Sequence, residues 1–171
     1  MRGAVLLLLA VGLPGLAVAA DAPAALSGRW TGTIAESTLA DVQAGNAASF
    51  ELRPNTGGFA LVWSIGGTSR AEASFEPAPG RPGVYQVAEG GLMSMFGSEK
   101  PTDPLVGGNL LWARAAGPTL IVYGLAIADG GGYHLDRIAF TVDGDSLAVA
   151  ATERRQNDQN AALATSLKRQ P

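Results

Sequence analysis

The side chains able to do chemistry in this 171-residue chain are few. His134 is the only histidine, and in Tyr133-His134-Leu135-Asp136 it shares a strand face with Asp136, two positions on. A carboxylate beside an imidazole can orient a general base. The same spacing also describes an ordinary pair on a strand wall, and that is the reading taken here. Zinc generally uses several nitrogen or sulfur ligands, and the chain has no second histidine and no cysteine. No metal site is expected. A serine nucleophile would need His134, but no Gly-x-Ser-x-Gly elbow is present. Glu72 and Glu76 lie four apart on one strand face, where paired carboxylates could do glycosidic acid–base work. Arg70 shares that face, which reads better as a solvated surface. Asp129-Gly130-Gly131-Gly132 and Asp143-Gly144-Asp145 are too short to enclose calcium alone. Asp-Gly is a favoured hairpin turn pair. Gly66-Gly67 and Gly90-Gly91 lack the lysine and the strand-to-helix setting of a phosphate loop. No catalytic constellation and no cofactor is expected, so an enzyme is the least favoured class.

The elements that must position these residues are strands. Asn109–Arg114, Thr119–Ile127, Tyr133–Val142 and Leu147–Arg155 are rich in β-branched, aromatic and aliphatic residues, and Gly, Pro and Asp clusters separate them. Ser27–Ile34 reads as the first strand. Ser49–Arg53 and Phe59–Ile65 form a hairpin about Pro54–Gly58, and Phe59, Leu61, Trp63 and Ile65 share one face by period two. Ser69–Glu76, Val84–Val87 and Ala161–Arg169 complete nine or ten short strands. Glu36–Ala48 reads as a loop, and Glu89–Gly108 shows no strand pattern. Sequential hairpins in this number predict an all-β fold, an antiparallel up-and-down β-barrel. A two-sheet β-sandwich is the alternative.

Composition bounds the rest. Hydrophobic residues make up 47% and charged residues 16%, which suits one domain with a real core. The net charge is −3 and the basic residues are scattered, which argues against a nucleic-acid partner. Arg2, the apolar run Val5–Val11, Pro14-Gly15 and Val18-Ala19-Ala20 have the layout of a secretory signal peptide cleaved before Asp21. The expected organisation is therefore a signal peptide over 1–20, a linker over 21–26 and one barrel domain over 27–171. The mature form has no apolar run long enough to span a membrane. The absence of cysteine excludes disulfides and a lipidated cysteine anchor. With the Ala, Gly and Pro richness, this points to the periplasm, or to secretion.

Gly28-Arg29-Trp30 opens the first strand as Gly-x-Trp, and Lys168-Arg169 close the last. This resembles the lipocalin (calycin) arrangement. The resemblance implies that Trp30 plugs one end of the barrel and that Arg169 stacks across it, as barrel-closing structural residues. It also implies a small apolar ligand near the open end. A stretch from Pro104-Leu105 through Leu111-Trp112-Ala113-Arg114 to Arg154-Arg155 further resembles uncharacterised exported proteobacterial proteins, which implies a shared fold and no activity. Leu92-Met93-Ser94-Met95-Phe96 is apolar and Met-rich where a loop should be polar. It reads as a lid over the barrel mouth or a docking patch for an envelope protein, or else as a plug tucked into the barrel. Trp63, Met93, Met95, Phe96, Trp112 and Tyr123 are the candidate ligand-binding residues. Two functions follow: a lipocalin-like binding module for a small apolar ligand, and a non-catalytic envelope structural or interaction domain.

Overall fold

The computed structural model describes residues 22–65, 69–93, 103, 105, 108–127, 131–156 and 160–171. A short helix, α1 (Ala22–Leu26), is followed by β1 (Gly28–Thr33), β2 (Glu36–Ser37), β3 (Ala47–Asn55), β4 (Gly58–Ile65), β5 (Ser69–Pro77) and β6 (Val84–Met93). β7 (Asn109–Ala116), β8 (Thr119–Ile127), β9 (Tyr133–Asp143), β10 (Ser146–Arg155) and β11 (Asn160–Arg169) complete the chain. Apart from the two-residue β2, which pairs with β11, each strand is antiparallel to the next. β1 also pairs with β11 through Trp30–Arg169 and Thr31–Lys168. Ten strands thus close into an up-and-down barrel. Closure satisfies both edges of the sheet, which would otherwise template association.

Alternation sorts the side chains. Phe50 and Leu52 of β3, Phe59 and Leu61 of β4, Leu120 and Val122 of β8, Leu147 and Val149 of β10, and Leu163 and Leu167 of β11 are buried in one core. Their odd or even parity defines the inward face of each strand. The turns follow local chemistry. Gly58 at the start of β4 lies so close to the Phe75 carbonyl that a Cβ there would sit 1.9 Å from its oxygen.

Three regions differ from the sequence expectation. Residues 22–26, read as a linker, form α1, and its Ala22 and Leu26 are buried in the core. Leu26 finds its apolar partners only when the barrel end is assembled. Within the expected loop 36–48, Glu36 and Ser37 pair with Ala164 and Leu163 of β11. β6 continues to Met93, well past Val87, because a bulge absorbs its irregular segment: Phe75 pairs with Val87 but Ala73 pairs with Leu92. Gly90-Gly91 within that segment hides the strand from a periodicity reading.

Candidate functional site

The two ends of the barrel differ. At the α1 end, Trp30 is fully buried and donates its indole Nε1–H to the Leu26 carbonyl at 3.0 Å. The Arg169 guanidinium carbon lies 4.2 Å from the Trp30 ring centroid. Its Nη1 and Nη2 donate to the carbonyls of Ser27 and Ala25 at 2.8 and 3.0 Å. One arginine thus stacks on the plug and holds the chain that leads into it. Gly28 has φ +109°, a left-handed conformation that side chains rarely adopt, and a Cβ there would face Arg169 Nη1 at 3.4 Å. The Gly of Gly-x-Trp is therefore a backbone requirement of the plug.

Above the plug the barrel is filled. Phe50 and Phe140, from strands that do not pair, meet with centroids 4.2 Å apart. The interior cavity bounded by Phe50, Trp63, Ile65, Phe140, Val149 and Thr165 has a volume of about 10 Å³, room for one water at most. Larger hollows, of about 280 and 210 Å³, lie on the 77–85 turn and around Arg29, Glu51 and Val62. The first is a surface groove. The second is built largely from residues of outward parity.

Toward the opposite end the described inward residues are less completely buried than those at the Phe50–Phe140 level. Trp63, Ile65, Leu111 and Ile138 pack on the core but are only partly buried. Among the described residues, β6 and β7 pair only over Val84–Gln86 and Trp112–Arg114, so their ladder stops short of this mouth.

His134 and Asp136 sit at this end of β9 with the parity of Phe140, and Glu153 and Arg155 sit at the end of β10 with the parity of Val149. Register places Asp136 opposite Glu153 and His134 opposite Arg155. His134 Nε2 lies 3.0 Å from Asp136 Oδ1 and 3.5 Å from Glu153 Oε1. Yet it makes no hydrogen bond, and the atom is inaccessible to solvent. The Arg155 Nε–H donates to Glu153 Oε1 at 2.6 Å. Partial burial raises the pKa of the half-exposed Asp136 carboxyl from its ordinary value. The Glu153 charge adds to this, while His134 and Arg155 oppose it. Gly124 lies opposite Asp136, and a Cβ there would touch Asp136 Oδ2 at 3.7 Å and Leu111 at 3.6 Å.

Of the residues singled out from the sequence, Trp63 faces the core and the small cavity. Trp112 and Tyr123 do not line the interior. Leu111, Ala113 and Ala115 of β7 and Leu120 and Val122 of β8 take the inward positions. Trp112 and Tyr123 therefore point outward, where their rings stack at 5.0 Å and 10°. Of the candidate ligand-binding residues, these two therefore lie on the outside of the barrel wall. Met93 ends β6, and Met95 and Phe96 lie outside the described residues. The expected signal peptide over 1–20 lies outside them too. Glu72 pairs with Arg53 at 3.2 Å and Glu76 accepts from Gln86 at 2.9 Å, so the two serve separate surface partners. Sequence reasoning paired His134 with Asp136 but missed Glu153, because only the β9–β10 register brings it across.

The sequence matches no family model and no curated protein. Among solved structures, it is similar to a chain described as the REP1-NXSQ fatty acid transporter. That likeness has 13% identity, covers 86% of this chain and 98% of the other, and has a TM-score of 0.37.

Proposed function

We propose that this protein is an exported, non-catalytic binding barrel that takes a small apolar ligand in its mouth, in the periplasm of a bacterium. The observation that carries the reading is the change of environment along the inward face. Residues at the Phe50–Phe140 level are buried, whereas Trp63, Ile65, Leu111 and Ile138 above them keep apolar surface in contact with water. Apolar surface in a concave site is what a small hydrophobic ligand covers. The filled floor limits such a ligand to a shallow seat, with modest affinity.

The small volume of the cavity among the described interior residues supports a second reading, an envelope interaction domain whose barrel is a rigid scaffold. Native mass spectrometry of the protein purified without detergent separates the two. A mass excess lost on denaturation supports the ligand reading. So does quenching of tryptophan fluorescence by an added apolar probe such as 8-anilinonaphthalene-1-sulfonate in a Trp112→Phe background, when it is lost with the further substitution Trp63→Phe and so does not come from Trp30. A bare mass together with an unresponsive Trp63 overturns it in favour of the scaffold.

A further inference from the structure

We propose that His134, Asp136 and Glu153 form a zinc-binding site at the barrel mouth, with one imidazole, two carboxylates and an open fourth position. The three side chains come from adjacent strands, and their nearest ligand atoms all lie within 4.8 Å of one another. Zinc bonds of about 2.0–2.1 Å in a tetrahedron place neighbouring ligand atoms about 3.3 Å apart. The two separations from His134 Nε2, 3.0 and 3.5 Å, straddle that value. A small inward adjustment of side chains at the ends of two strands would complete the set.

The second observation is the state of Nε2 itself. It is shut off from solvent and faces two carboxylate oxygens, yet makes no hydrogen bond to either. An imidazole nitrogen desolvated between two carboxylate oxygens, with an aligned hydrogen bond to neither, is poorly satisfied, and a cation between the three atoms would bond to each. The His134 side chain as a whole is 37% exposed, so the ring sits at the surface although its Nε2 is covered. Arg155 sets a limit. It holds Glu153 Oε1 and brings a positive charge beside the ion, so it weakens binding without abolishing it, since the carboxylate has a second oxygen. This site shares the barrel mouth with the apolar seat proposed above, since Asp136 lies two residues from Ile138 on one face of β9, but its test reads zinc binding alone.

The test is titration of the chelator-treated, tag-free protein with zinc chloride, followed by calorimetry and by ¹H–¹⁵N correlation of the imidazole ring. His134 is the only histidine, so its ring nitrogens need no assignment. The expected result is one equivalent bound, with a shift of the Nε2 resonance. Affinity should fall at least about tenfold in His134→Ala and in Glu153→Gln. It should rise in Arg155→Gln. Glu153→Gln is nearly isosteric and its metal-free melting curve checks the fold. An unmoved Nε2 resonance, no saturable binding, or binding unchanged by Glu153→Gln overturns the proposal.

Discussion

Gly58 shows how narrowly single positions are constrained. An alanine methyl would overlap the Phe75 carbonyl oxygen, which is backbone and cannot swing aside. Gly58→Ala should therefore cost at least about 2–3 kcal/mol in denaturant unfolding, the scale of overpacking and backbone strain. Gly57→Ala meets open space at φ +91° and should cost only about 1 kcal/mol. Equal losses at the two sites would refute the steric account. At the floor, Phe140→Ala removes a fully packed ring from its contact with Phe50. The expected loss is about 3–5 kcal/mol. If the variant still folds, xenon or benzene should bind the cavity that this creates. Parent protein should show no such internal binding.

The elements carry their own consequences. α1 is too short to be stable alone. It persists because Leu26 is buried and because Trp30 and Arg169 bond to its carbonyl groups and to Ser27 just after it. Arg169→Met keeps the aliphatic stem over Trp30 but loses the guanidinium. Hydrogen exchange should then accelerate at the 22–28 backbone while the β8–β10 amides stay protected, with a global loss of about 1–2 kcal/mol. Uniform acceleration across the barrel would mean that the plug is not a separable unit. The irregularity between β5 and β6 matters at the same scale: it lets β6 run on to Met93, while among the described residues the β6–β7 ladder covers only Val84–Gln86 and Trp112–Arg114.

At the scale of the whole molecule, closure rests on a short seam. Among the described residues β1 and β11 meet through two residue pairs, supplemented by the Gln170 N–H donating to the Arg29 carbonyl at 2.8 Å and by the Thr165 hydroxyl donating to the Thr33 carbonyl. Deleting residues 168–171 removes all of these but the Thr165 bond, together with the Arg169 lock. It should destabilise the barrel by about 3 kcal/mol or more and expose two sheet edges. Thermal melts and light scattering would show an earlier transition with concentration-dependent association. A monomeric product with an unchanged melting temperature would show that α1 and the aromatic floor hold the barrel without the seam.

The strand runs, the turn residues between them and the Trp30–Arg169 pairing of chain ends were legible in the sequence, because alternation and Gly, Pro and Asp punctuation are local signals. The all-β class and the up-and-down order follow from them. Alternation also holds the direction of Trp112 and Tyr123: Leu111, Ala113, Leu120 and Val122 claim the inward parity, which leaves these two outside. What only the tertiary structure decided depends on register and closure. The β9–β10 register sets Glu153 against Asp136, and the approach of Phe50 to Phe140 fills the barrel. The joining of β1 to β11 buries Leu26 and turns an Ala/Pro stretch into a helix. Each depends on residues far apart in the chain, and no local pattern records how far one strand slides along its neighbour or how wide a closed sheet becomes.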